Sequence, residues 1–179
     1  KGMHYEVSYD ISRFLDASID KVIHTLFEAF ILVAIVVFVF LGDWRSAIIP
    51  CMAVPVSLIG SFAVMSAFGI TLNMISLFAL VMAIGIVVDD AIVVIEAVNV
   101  KIATEHLSHL EATQEAMKEI SGAIVAITLV MASVFIPVAF MGGPEGMFYR
   151  QFSITMASSI ILSGFVALTL TPALCALIL

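Results

Sequence analysis

The chain is 179 residues long, 63% hydrophobic and only 12% charged. Soluble domains run at about 45–50% apolar and about 25% charged, so the composition excludes a water-soluble fold, which would lack the polar residues to cover its surface. The formal net charge of −7 comes mostly from the first 28 residues and from residues 96–119, and the seven Lys and Arg form no basic stripe, which excludes a nucleic-acid partner.

The chain opens at "KGMHYEVSYD" without the charged and apolar regions of a signal peptide. It stops at "TPALCALIL", in or just past an apolar run. Both ends read as cut, and a piece of a longer polypeptide is expected. In "SYDISRFLDASIDKVIHT" the residues Ile11, Leu15, Ile19 and Val22, followed by Leu26, recur every three or four positions, which predicts an amphipathic helix entering a span. Residues 1–23 are therefore read as the end of an extramembrane region plus this entry helix.

A hydrocarbon core of about 30 Å needs about 20 apolar residues in a helix, and five segments qualify. They are residues 24–41, 48–68, 74–97, 121–140 and 147–171. Trp44, in the link "GDWRSA", suits an interfacial position. Pro50 fits a first helical turn, whereas Pro55 removes a backbone bond and is expected to kink its span. "GITLN" and "GGPEG" are the short links on the other side. Residues 99–120 carry an apolar stripe of Ala103, Leu107, Leu110 and Met117 and are read as a connector helix lying along the membrane surface or against another part of the protein. The fold class is an all-α membrane protein. Charge does not orient it, because Arg45, Lys101 and Lys118 on one side balance Arg13, Lys21 and Arg150 on the other.

The third span carries Asp89 and Asp90 side by side in "AIGIVVDDAIVVIEAV". Each central Asp costs about 2.5–3.5 kcal/mol on the insertion scale, about 5–7 for the pair, against about 6–12 from roughly twenty Leu- or Val-like residues. The span inserts, at a cost that implies a use. Low dielectric and a second carboxylate both disfavour the charged form, so the two are expected to titrate as a coupled unit able to take a proton from one face and release it to the other. Neighbours on a helix point about 100° apart, so one acid can face a conducting path while the other faces a helix. Gly85, one turn earlier, lets a helix or water come close.

Every Lys and Arg lies outside the spans or at their ends, so a counter-ion for the aspartates is expected from a helix beyond this chain. Glu96, seven positions after Asp89, is a candidate auxiliary on a similar face. His106 and His109 are a weak metal signal, and a cation site would want more oxygen ligands than this span offers, so no metal site is assigned. Cys51 and Cys175 show neither metal nor disulfide spacing and read as small buried apolar residues.

"FLGDWRSAIIP", "GIVVDDAIVVIEAV", "SVFIPVAFMGG", "YRQFSITMASS" and "ALTLTPALCA" together resemble the resistance–nodulation–division (RND) transporters, in their hydrophobe/amphiphile efflux branch. The resemblance covers essentially the whole chain and matches the second to sixth transmembrane helices of that family. It implies a proton-driven multidrug antiporter, not an enzyme, of the bacterial inner membrane. Protons are its coupling ion, with no other cofactor. It also implies a homotrimer joined to a periplasmic adaptor and an outer-membrane channel. Asp89 and Asp90 match the family's proton relay, whose lysine partner belongs to the other half of the protein. The heavy-metal branch usually has a single acid in place of "DD". "IEAVN" departs from the family, which commonly has Asn where Ala97 stands. By the same likeness the N-terminal stretch and "GGPEG" are periplasmic and residues 99–120 cytoplasmic. Competing readings are a heavy-metal or lipid exporter of the same superfamily, an ion channel subunit with an aspartate ring, and a non-transporting assembly auxiliary.

Overall fold

The computed structural model describes the backbone of residues 11–143 and 145–179, and the side chains of residues 17–179 other than Val22 and Pro144. Residues 1–10, the side chains of Ile11, Leu15 and Val22 in the expected entry stripe, and that of Arg13 lie outside the described residues. Five helices follow in chain order: α1 (Ile11–Leu41), α2 (Trp44–Ala67), α3 (Met74–Glu105), α4 (His109–Ala139) and α5 (Gly146–Ile178). No strand occurs among the described residues. All five are long and apolar enough to cross a membrane, as the hydropathy pattern predicts.

The turns are written in the sequence. Gly42 (φ 65°) and Gly69 (φ 66°) reverse the chain in the left-handed region, which costs glycine little. Asp43 caps α2 by accepting the Arg45 N–H at 3.3 Å, so that helix begins at Trp44 rather than at the first residue of the apolar run. Asn73 caps α3 in a reciprocal box with Ser76. α2 runs on through both Pro50 and Pro55, and α4 and α5 contain Pro137 and Pro172.

The connector corrects the sequence-based expectation. Residues 99–120 do not form a helix of their own: residues 99–105 continue α3, and residues from 109 onward open α4. His106 takes a left-handed conformation (φ 53°) that ends α3. Ser108 then caps α4, accepting from the Glu111 N–H while the Glu111 carboxylate accepts from the Ser108 N–H. With 32 residues, α3 is about 48 Å long, well beyond a hydrocarbon core of about 30 Å. Its last turns therefore project past the apolar run that hydropathy detects. Lys101 holds that projecting end to α4 by pairing with Glu119 (2.6 Å) as well as with Glu105 (2.9 Å).

α5 is the hub, packing on α2, α3 and α4, while α1 leans on α2 and α3. The lipid-type packing rule applies: apolar side chains face outward, and small or hydroxyl residues let the helices approach. Among its described side chains α1 contributes a narrow seam of Leu26, Ala29, Phe30, Val33, Val37 and Leu41. α4 buries Ala112, Ala116, Ile124, Thr128 and Ala132 at mostly four-residue spacing. Gly164 of α5 sits hard against Thr128, so a methyl there would collide with it.

Candidate functional site: the paired aspartates of α3

Residues 85–96 form one unbroken stretch of α3, and its two sides differ. Phe78, Met82, Gly85, Asp89, Val93 and Glu96 recur every three or four positions and are all exposed. They form a stripe along one face of α3 that no described element covers. Ala83, Val87, Asp90, Ala91 and Val94, on the opposite side, are buried against the rest of the bundle.

The helix period of about 100° per residue thus sends the two carboxylates to different environments. Asp90 points inward, is 9% exposed, and accepts a 2.6 Å hydrogen bond at Oδ2 from the Ser163 hydroxyl of α5. The same hydroxyl lies 3.5 Å from the Val87 carbonyl oxygen. Ser163 is itself 1% exposed. Asp89 lies on the open stripe with Glu96, which is two turns further on. Gly85, one turn before Asp89, faces open space: a Cβ there would meet nothing within 4 Å.

A seam of hydroxyls extends from this point. Thr155, Ser159 and Ser163 repeat every four residues along α5, and the Ser159 hydroxyl donates to Ser61 Oγ of α2 at 2.9 Å. Ser57 and Thr171 are buried with no hydrogen-bond partner among the described residues. Ser163 is the residue that sequence reading missed. Its signal was present, as hydroxyl residues at four-residue spacing within an otherwise apolar span.

Among the described residues the ion pairs are Lys101–Glu105, Lys101–Glu119 and Lys118–Glu115, all at the α3–α4 junction. Neither aspartate pairs with a cation there. No group of three or more His, Cys, Asp and Glu side chains able to hold a metal ion occurs among the described residues. His106 and His109 belong to separate helix ends, and Glu96 is not brought near Asp90. Cys175 is buried and Cys51 half-buried, both as free thiols.

A bundle of five membrane-length helices, the third carrying one carboxylate turned into the core and a second on an open face, defines a multi-pass membrane protein. The sequence profile described as the AcrB/AcrD/AcrF family matches residues 1–179, and the chain belongs to that family, among the RND transporters. It is 49% identical over 179 residues to the multidrug export protein AcrF of Escherichia coli K12, covering all of this chain and 17% of that protein. It is 52% identical over 171 residues to the multidrug resistance protein MdtF of the same strain, covering 96% of this chain and 16% of that one. With the toluene efflux pump membrane transporter TtgE of Pseudomonas putida it shares 49% identity over 179 residues, again all of this chain and 17% of the relative. The chain thus spans about one-sixth of the length of these relatives. It is a multi-pass segment of the bacterial inner membrane.

Proposed function

We propose that this chain is the part of a proton-driven efflux antiporter in which protons are bound and released within the membrane, by Asp89 and Asp90, to drive export of amphiphilic compounds. The observation that carries this reading is the split environment of the pair: Asp90 is fastened to Ser163 inside the bundle, while Asp89 stands on an open stripe of α3. A carboxylate buried among apolar helices without a cation is costly in its charged form. A cation arriving on the open stripe, beside Gly85, would stabilise that form, and its withdrawal would favour proton uptake. The proposed source is a lysine on a helix from the other half of the same transporter, docking on this stripe. Glu96 lies on the same stripe and is proposed only as an auxiliary.

The names of these relatives, which speak of multidrug export, multidrug resistance and toluene efflux, favour amphiphiles over heavy metals as the cargo. By the same family, the working unit is proposed to be a homotrimer with a periplasmic adaptor and an outer-membrane channel, with no cofactor beyond the coupling protons. Residues 142–146 are then periplasmic and the α3–α4 junction cytoplasmic.

The test is Asp89→Asn and Asp90→Asn, each in the full-length transporter. Asn keeps volume and polarity and removes the titrating proton. Each variant is expected to reach the membrane at normal level and to lose drug resistance. Near-normal resistance in both would sink the relay.

A further inference from the structure

A cavity of about 840 Å³ lies at the end of the bundle where α2 and α4 finish and α5 begins. It exists because α2 and α4 each pack on α5 but, among the described residues, not on each other. Phe68 and Phe140, the residues that end α2 and α4, stand at its mouth, and Ala157 and Leu162 of α5 line its wall. Its volume falls in the range of about 300–1,000 Å³ usual for small-molecule sites.

We propose that this cavity binds an anionic phospholipid, with an acyl chain between α2, α4 and α5 and the phosphate on Arg150. Dimension, charge and an unpartnered hydroxyl support this occupant. From Arg150 to Leu162 the cavity follows α5 for twelve residues, about 18 Å at 1.5 Å per residue. That matches the depth of one leaflet, half of a hydrocarbon core of about 30 Å. The lining is apolar apart from Arg150, Ser153 and Ser158, and the Ser158 hydroxyl is already satisfied by the Thr155 carbonyl at 2.9 Å, which suits a chain below and a charged head above.

Arg150 supplies the charge. It is exposed near the N-terminus of α5, where the helix dipole disfavours a cation and favours an anion. No described carboxylate pairs with it, Glu145 included. An anion at this position would pair with the guanidinium and lie at the end of the helix dipole that favours it. Ser153, one turn deeper on the same face, also lines the cavity. It is 0% exposed, and its Oγ has no hydrogen-bond partner among the described residues. Phosphate or glycerol-ester oxygens are acceptors of the kind it lacks. A neutral amphiphile would fill the volume and leave Arg150 unused.

The experiment uses the full-length transporter, purified and offered phosphatidylglycerol or phosphatidylethanolamine, with retained lipid counted by native mass spectrometry. A phosphatidylglycerol carrying a diazirine in its acyl chain is then photo-crosslinked and the labelled peptides mapped. The labels are expected within residues 153–162, with phosphatidylglycerol retained over phosphatidylethanolamine. Arg150→Gln is expected to lower phosphatidylglycerol retention about fivefold, as one lost surface-charge contact implies. Arg150→Lys is expected to keep it, which separates loss of charge from loss of fold. Ala157→Phe, which fills the cavity and leaves Arg150 intact, is expected to abolish the label. Wild-type retention in both Arg150→Gln and Ala157→Phe would overturn the proposal. So would crosslinks confined to other segments of the full chain, because another part of the protein would then cover the cavity.

Discussion

Replacing Gly164 with Ala should damage the bundle at a close approach of α5 to α4. A methyl built on Gly164 lies 2.7 Å from Cγ2 and 3.0 Å from Cβ of Thr128, and closer still to its Oγ1. Comfortable carbon contacts need about 3.5–4.0 Å, so the helices must separate by roughly 1 Å. Overpacking of this kind costs about 1–3 kcal/mol. The damage does not stay local, because the preceding residue, Ser163, holds Asp90 through a 2.6 Å hydrogen bond. Gly164→Ala is therefore expected both to lower stability and to impair export. Thr128→Ala should relieve much of this, since it removes Oγ1 and Cγ2, the two nearest atoms, and leaves only Cβ at 3.0 Å, while the Thr128 hydroxyl has no hydrogen-bond partner among the described residues to lose. The assay is denaturant unfolding of the full-length protein in detergent for the two single variants and the double variant. A coupling of about 1–2 kcal/mol is expected from residues in direct contact. Wild-type stability in Gly164→Ala, or a double variant no more stable than Gly164→Ala, would refute the packing argument.

Ser163→Ala should slow proton-coupled export on the order of 10- to 100-fold, since a hydrogen bond to a charged group is worth about 1.5–3 kcal/mol. It should also alter the pH profile of transport, whereas Ser163→Thr should restore both. An unchanged rate and profile in Ser163→Ala would remove Ser163 from the site. Glu96 stands two turns, about 10 Å, from Asp89, so Glu96→Gln is expected to reduce export less than either Asp→Asn variant. Complete loss would promote it into the relay. Ser108→Ala removes the cap of α4 and should cost about 0.5–2 kcal/mol locally, read as faster amide exchange over residues 109–112. Unchanged exchange there would show that the cap is not what starts α4.

Much of this architecture was legible in the sequence because lipid imposes a simple rule: about 20 apolar residues make a span. Each predicted span lies almost wholly within one observed helix, and "GITLN" and Gly142, Gly143 and Glu145 of "GGPEG" fall between helices as expected, while Gly146 opens α5. What hydropathy could not see was how far each helix runs beyond the lipid. The joining of residues 99–105 to α3, and of residues 109–120 to α4, rests on polar signals: a left-handed His106 and the Ser108–Glu111 box. That box is present in the sequence as S-x-x-E, a signal that the apolar stripe of residues 99–120 does not contain. Asp89 and Asp90 stood out because their insertion cost is large. Ser163 did not, because a hydroxyl in an apolar helix costs little and can satisfy itself on its own backbone. Which aspartate faces inward depends on the rotation of α3 against α5, and that is set by packing, not by local sequence.

The central claim is tested most directly by reconstituting the full-length transporter in proteoliposomes with a pH-sensitive dye inside and adding a transported amphiphile. Wild-type protein is expected to move protons in response to the amphiphile and to stop accumulating it when a protonophore collapses the gradient, while Asp89→Asn and Asp90→Asn show no amphiphile-dependent proton flux. Undiminished amphiphile-dependent proton flux in both variants would contradict a relay built on Asp89 and Asp90.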